Sequence, residues 1–313
     1  MKQVIVVENL IKKYKSASKN AIDNISFTIN EGDFFALLGP NGAGKTTTIS
    51  ILTTTLSKTS GKITIAGFDL DTHPSEVRQN IGVIFQNPSL DKNLTAEENI
   101  RFHAVLYGLY TFSPSFTLMP QEYKKRVTDL AEILDLKNDI FKPIKTFSGG
   151  MKRKLEIIRS LMHHPKILFL DEPTSGLDPI SRKNLWEYLK EVRKKEHTTI
   201  FLTTHYLEEA EDADIVCVVN HGKIINSGTP ETIKKHLIKE YILLETNEKE
   251  KLEKELQKMN LTFTQEKGFK VEIENKQIQK LISGIKVPLT SIKTHSPSLE
   301  DAYVELIGAD HLE

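Results

Sequence analysis

Cysteine is almost missing from this chain: Cys217 is the only one in 313 residues. It stands in the apolar run Ile215 to Val219, where it reads as a small core hydrophobe, so a disulfide framework or thiol chemistry is not expected and a reducing compartment is. Net charge is missing as well, since 42 Lys and Arg offset 42 Asp and Glu. No overall field therefore draws in nucleic acid or an anionic membrane. Long hydrophobic runs are absent. Phe34 to Leu38 and Ile167 to Leu170 are strand-length, far below the roughly 20 residues a membrane-spanning helix needs. The opening MKQVIVVENL has too short an apolar stretch for a secretion signal. Internal repeats and low-complexity tracts are lacking too. What remains, 39% hydrophobic and 27% charged residues, is an ordinary globular balance, in a chain long enough for one large domain and a smaller second one.

Val4 to Val7 and the alternating Ile25 to Ile29 predict strands at an antiparallel edge. Phe34 to Leu38 is a continuous apolar run that meets a Gly-rich turn and then a helix. Ile167 to Leu170 and Thr199 to Leu202 repeat the buried-strand pattern on either side of the amphipathic stretch Arg182 to Lys194, which predicts a parallel sheet. Between Phe34 to Leu38 and Ile167 to Leu170, Ala96 to Leu136 predicts helix, interrupted at Thr111 to Pro120 by a surface loop. After Gly228 the texture turns Lys- and Glu-rich, with a boundary expected near Ile238. Tyr241 to Glu245, Lys249 to Met259, a hairpin of Leu261 to Thr264 with Val271 to Ile273 around Lys267 and Gly268, Gln277 to Ile282, and Leu289 to Thr294 predict a β-α-β-β-α-β order. That order is the split βαβ or ferredoxin-like plan, followed by a helix from Ser298 to Ile307 with Ser298 as its cap.

Gly39-Pro40-Asn41-Gly42-Ala43-Gly44-Lys45-Thr46 fits G-x-x-x-x-G-K-[ST] between a buried strand and a helix, the context in which that motif cradles phosphates. Glycines let the backbone N–H groups converge on the phosphates, and the helix starting near Lys45 adds its positive end. Lys45 is expected to bridge the β- and γ-phosphates, Thr46 to ligate Mg²⁺ and Thr47 to touch a phosphate. Ile167 to Leu170 ends in Asp171-Glu172, two carboxylates at the carboxyl edge of the sheet, where open α/β sheets bind ligands. Asp171 is expected to hold Mg²⁺ and Glu172 to act as general base on the attacking water. A strand ending in Asp-Glu is often only a solvated turn; lying downstream of a phosphate loop is what gives this one its meaning.

With these motifs in this order the chain resembles the ATP-binding-cassette (ABC) ATPases from Val4 to about Leu237. Phe147-Ser148-Gly149-Gly150-Met151 resembles the family signature, departing from the commoner Leu-Ser-Gly-Gly-Gln, with Ser148 able to cap the helix beyond it. The resemblance implies a P-loop NTPase α/β fold, a RecA-like core with an antiparallel edge and a helical subdomain at about 88–160, in a domain over 1–237. A small α+β domain would follow over 238–313. It implies ATP and Mg²⁺ as cofactors, with Gln86 sensing metal and γ-phosphate, His205 contacting the γ-phosphate, Asp178 at the dimer interface and Tyr14 stacking on adenine. In the family, Ser148, Gly149 and Gly150 close over ATP held by a second subunit, so a head-to-tail homodimer or heterodimer is expected. Met151 to Lys154, the His205 to Ala210 run and Pro297 to Asp301 look like the subclass that serves type-2 exporters of drugs, lipids, polysaccharides or ions. The partners implied are transmembrane permease subunits, with the chain in the cytoplasm, peripheral to the inner face of the membrane and touching it only through them. An ATP-gated clamp on ribosomes or DNA would carry two cassettes or a long coiled coil, and a P-loop kinase or GTPase would lack Ser148-Gly149-Gly150 and His205.

Overall fold

The computed structural model describes residues 2–15, 17–86, 89–237, 241–259, 261–265, 268–272, 278–295 and 298–310. Of the positions singled out in the sequence, Ile238, Lys267, Ile273, Gln277 and Pro297 lie outside the described residues. The chain divides into two compact units between Ser227 and Gly228.

The first unit runs β1 (Gln3–Lys12), β2 (Ile22–Asn30), β3 (Phe34–Leu38), α1 (Lys45–Leu52), β4 (Ser60–Ile65), β5 (Phe68–Asp69), α2 (Pro74–Asn80), β6 (Ile81–Ile84) and α3 (Ala96–Leu106). It continues with α4 (Gln121–Ile133), α5 (Gly149–Leu161), β7 (Ile167–Asp171), α6 (Pro179–Glu196), β8 (Thr199–Thr204), α7 (Leu207–Ala210), β9 (Ile215–Asn220) and β10 (Lys223–Gly228). Its six-stranded sheet has the order β10-β9-β3-β8-β7-β6. The pairs β3 with β8, β3 with β9, β7 with β8 and β6 with β7 are parallel. Every residue of β3, β7 and β8 is buried, the continuous pattern of strands covered on both faces. A second sheet, β2-β1-β4-β5, is antiparallel at each pairing, with the Asn9 φ of 49° beside a register shift in β1. The two sheets share a core in which Phe201 packs against Phe27, Phe35 and Phe169.

Helices α3 to α5 form the helical part. A capping box starts α3, where Glu98 N–H donates to Thr95 Oγ1 and Thr95 N–H to Glu98 Oε2. The interruption between α3 and α4 is a surface loop with one turn of 3₁₀ helix at Phe116–Leu118, exposed at Phe112 and Leu118. It is nonetheless tied inward. Arg101, buried and paired with the equally buried Glu97, donates to Ser113 O at 2.6 Å, and Tyr123 donates to Glu97 at 3.0 Å.

The second unit holds α8 (Pro230–Leu237), β11 (Tyr241–Glu245), α9 (Lys249–Lys258), β12 (Phe263–Gln265), β13 (Phe269–Glu272), α10 (Ile278–Gly284), β14 (Ser291–His295) and α11 (Leu299–Asp310). Its sheet, β12-β13-β11-β14, is antiparallel throughout, which is the strand order of the split βαβ plan. Leu252 and Leu256 of α9 and Leu281 of α10 join Ile242, Leu244, Phe269 and Val271 in one core. Asp301 N–H donates to Ser298 Oγ, capping α11. The division at 227/228 falls ten residues before the expected 237/238, because α8 packs on α11.

Candidate nucleotide site

The loop from β3 to α1 owes its shape to glycines. Gly44 sits at φ 106°, and a Cβ there would stand 2.6 Å from Ala21 O; a Cβ on Gly39 would stand 2.3 Å from Val219 O. Only glycine lets the backbone come that close. Lys45, the first residue of α1, is folded back over the loop and is only 4% exposed. Its Nζ donates to Gly39 O at 2.7 Å and Pro40 O at 3.1 Å, and lies 3.6 Å from Glu172 Oε1. Burial pulls the Lys45 ammonium below the usual lysine range, with Glu172 and Asp171 opposing.

A cavity of about 480 Å³ opens over this loop, lined by Ala21, Asn41, Gly42, Gly44, Lys45, Thr46, Thr47, Gln86, Glu172, Ser175, His205 and Tyr206. The ends of β3, β6, β7 and β8 thus bring residues from four separate stretches of sequence to one edge of the sheet. Glu172 is their hub. Gln86 Nε2 donates to its Oε2 at 3.2 Å, while His205 Nδ1 stands 3.1 Å from its Oε1 without hydrogen-bond alignment. The backbone of Glu172 is left-handed, φ 45°, and is held by its own N–H donating to Thr203 O at 3.0 Å and by Ser175 N–H donating to Glu172 O at 3.2 Å. Such strain in a non-glycine residue is concentrated at functional positions.

Several expected site residues lie elsewhere. Gly39, Pro40 and Ala43 do not line the cavity: the first two turn their carbonyls to Lys45, and Ala43 packs in the core. Asp171 lies behind Glu172, buried, accepting the Thr203 hydroxyl; burial raises its carboxyl above the usual range, against that hydrogen bond. Tyr14 is exposed, and its hydroxyl lies 3.3 Å from Thr47 Oγ1. Ser148 caps α5 by accepting from Met151 N–H at 3.2 Å, so Ser148, Gly149 and Gly150 sit at a helix start apart from the cavity of their own chain. Asp178 is likewise taken up locally, accepting from Ile180 and Ser181 N–H at the start of α6. The Ser181 hydroxyl leads in holding its carboxyl below the usual range.

Two buried charges beside the site lie in the stretches that resemble the exporter subclass, Arg153 in Met151 to Lys154 and Glu209 in His205 to Ala210, where the sequence suggested no individual role for either. Arg153 donates to the carbonyls of Phe85, Asp171 and Pro173. Glu209, its carboxyl raised by burial, accepts from the Thr174 and Thr204 hydroxyls and so joins the turn after Glu172 to the residue before His205. A signal for Arg153 exists in the sequence, since Arg153, Glu156, Ile157 and Ser160 share one helical face and put a charge pair among apolar neighbours.

A glycine loop at a helix start, a buried lysine over it and a strained carboxylate at the end of another parallel strand of the same sheet define a P-loop nucleotide-binding protein. Residues 22–175 match the ABC transporter family model. The chain is 33% identical to the linearmycin resistance ATP-binding protein LnrL of Bacillus subtilis, over 97% of this chain and 98% of that one. It is 38% identical to the probable multidrug ABC transporter ATP-binding protein YbhF of Escherichia coli over 74% of this chain, and spans 38% of YbhF's length. Among solved structures, an ATP-binding cassette dimer in a post-hydrolysis state with ADP and Pi superposes with a TM-score of 0.63 at 25% identity, over 72% of this chain and 98% of that one. The chain belongs to the ABC transporter family, as one of its ATP-binding proteins. No helix among the described residues is long and apolar enough to cross a membrane.

Proposed function

We propose that this chain hydrolyses ATP as the motor of an exporter whose membrane-spanning subunits are separate proteins. The observation that carries this reading is the convergence of Lys45, Gln86, Glu172 and His205 on one cavity over the phosphate loop. Lys45 exchanges its two carbonyl acceptors for oxygens of the β- and γ-phosphates, and the N–H groups at the start of α1 hold the rest of the chain of phosphates. Glu172 takes a proton from water as the water oxygen bonds to the γ-phosphorus. The bond to the β,γ-bridging oxygen breaks, and ADP leaves with inorganic phosphate. His205 faces the γ-phosphate, Gln86 holds Glu172 and the water, and Tyr14 stacks on the base.

Mg²⁺ fits this donor set. Thr46 and Gln86 line the cavity with a hydroxyl and an amide oxygen, and Asp171, buried behind Glu172, would hold the ion through water. Mg²⁺ prefers that arrangement, taking few protein ligands and completing its shell with phosphates and water. When bound it neutralises charge on the transferring phosphoryl group.

The start of α5, with Ser148 as its cap and Gly149 and Gly150 open to solvent or half-buried, faces no phosphate in its own chain. A second copy or a related subunit brings it one, so two chains enclose two nucleotides head to tail, with Asp178 at their junction. The dimeric cassette with ADP and Pi supports this arrangement, and the names of LnrL and YbhF support drug export. The chain then lies at the cytoplasmic face of a membrane, bound to a permease. The test measures phosphate release and ATP affinity in the protein and in Lys45→Ala. Magnesium-dependent release in the wild type, with ATP affinity at least about tenfold weaker in the variant, is expected. Normal affinity in Lys45→Ala would remove the phosphate loop from the reading.

A further inference from the structure

Arg153 has two segments of the site in its grip. Only 4% exposed, it sits on α5 five residues beyond the capping Ser148. Its Nε donates to Pro173 O at 2.7 Å, its Nη1 to Phe85 O at 2.5 Å and to Glu156 Oε2 at 2.9 Å, and its Nη2 to Asp171 O at 3.4 Å. Asp171 and Pro173 are the two neighbours of Glu172, and Phe85 precedes Gln86. The guanidinium therefore brackets the left-handed backbone of Glu172, φ 45°, on both sides. Such a conformation persists only where the surroundings over-determine it. Glu156 balances the buried charge, and through Ser89 N–H, donating to its Oε1 at 3.0 Å, it fixes the far side of the Gln86 segment. A lysine offers one point charge in place of the fork and cannot reach three carbonyls at once.

We propose that Arg153 is a positioning residue for hydrolysis, which aims the Glu172 carboxylate and the Gln86 amide by holding the carbonyls on either side of one and beside the other. The inference rests on the ATPase reading above and deepens it. Because Arg153 belongs to the helix that begins at Ser148, α5 and the Glu172 turn move together. A phosphate engaged at the start of α5 is thereby felt at the carboxylate of the same chain.

The test compares ATP turnover and nucleotide affinity of the wild type, Arg153→Lys, Glu172→Gln and the double variant, with thermal unfolding as a check on the fold. Misplacement of a catalytic group by about an ångström costs on the order of a hundredfold in rate, so Arg153→Lys should lose about that in kcat while ATP affinity stays within about twofold. In the Glu172→Gln background the Arg153 substitution should lower kcat no further, since it acts through Glu172. A kcat in Arg153→Lys equal to wild type, a parallel loss of affinity, or additive losses in the double variant would overturn the proposal. Should Arg153→Lys not fold, Arg153→Gln, which keeps an amide donor and removes the buried charge, is read in the same way. An inactive wild type would sink the ATPase reading itself, whereas an active wild type with an equally active Arg153→Lys sinks only the role of Arg153.

Discussion

Replacing Glu172 by Gln separates chemistry from binding more cleanly than any other change at this site. The carboxylate has three neighbours: Gln86 Nε2 at 3.2 Å, His205 Nδ1 at 3.1 Å and Lys45 Nζ at 3.6 Å. Glutamine has the same shape, and its oxygen can stay toward Lys45 while its NH₂ meets the Gln86 amide turned over. Lys45 keeps its bonds to Gly39 O and Pro40 O. The stability cost is therefore that of one weakened charge-assisted bond, about 1–3 kcal/mol. At roughly 2–4 °C per kcal/mol for a domain of this size, the melting point falls by several degrees and the protein remains folded at 25 °C. The rate suffers far more. Losing a general base costs about 10²–10⁴-fold, on the order of 3–5 kcal/mol of barrier. Removing one negative charge beside a triphosphate does not weaken ATP binding, so affinity holds or improves. Phosphate release at saturating ATP, fluorescent-nucleotide titration and gel filtration together read the outcome: slow turnover, intact affinity and a dimer that persists with ATP. A kcat within about threefold of wild type would refute the assignment of Glu172 as the base.

Gly44→Ala should destabilise the protein by about 1–3 kcal/mol and weaken ATP binding, because the new Cβ at φ 106° meets Ala21 O at 2.6 Å. Gly32→Ala, at φ 84° with nothing within 4 Å, should leave ATP affinity unchanged; calorimetric titration and urea unfolding of both variants check this. His103, stacked on Tyr107 at 4.4 Å, is held down to about 3 by burial first and then by Arg159 and His163. It folds neutral, so stability is full above the ordinary pKa of 6.5 and is lost as pH falls from there toward 3. By pH 5 the loss is about 2 kcal/mol. His103→Leu should remove that much of the acid sensitivity between pH 6.5 and 5, and equal urea midpoints for wild type and variant across this range would contradict it.

Much of the fold could be read along the chain because the relevant interactions are local. β3 and β7 are continuous apolar runs that only a covered strand explains, and the loop at Gly39 to Thr46 is contiguous, so its glycines, lysine and helix start are read together. The apolar stretch in Tyr241 to Glu245 and the pattern of Lys249 to Met259 similarly predicted a strand and a helix of the second unit. The boundary expected at 237/238 lies one helix beyond the observed 227/228: α8 is continuous in sequence with β10, and its packing on α11, over sixty residues away, leaves no local mark.

The sequence by itself determined that a strand, a glycine turn and a helix would build a phosphate cradle, and that carboxylates would end another buried strand, since these follow from residue type and short-range spacing. Only the tertiary structure decided which side chains look into the cavity. Asp171 and Glu172 are adjacent, yet a left-handed φ and the Thr203 contacts send one into the core and the other to Lys45 and Gln86. Asp178 and Ser148 went to their own helix ends, while Arg153 and Glu209 became buried ties across segments. The physical reason is that such partners are set by parallel strand register and by which face a helix turns inward, and these bring together residues separated by up to nearly two hundred positions that no window of sequence contains.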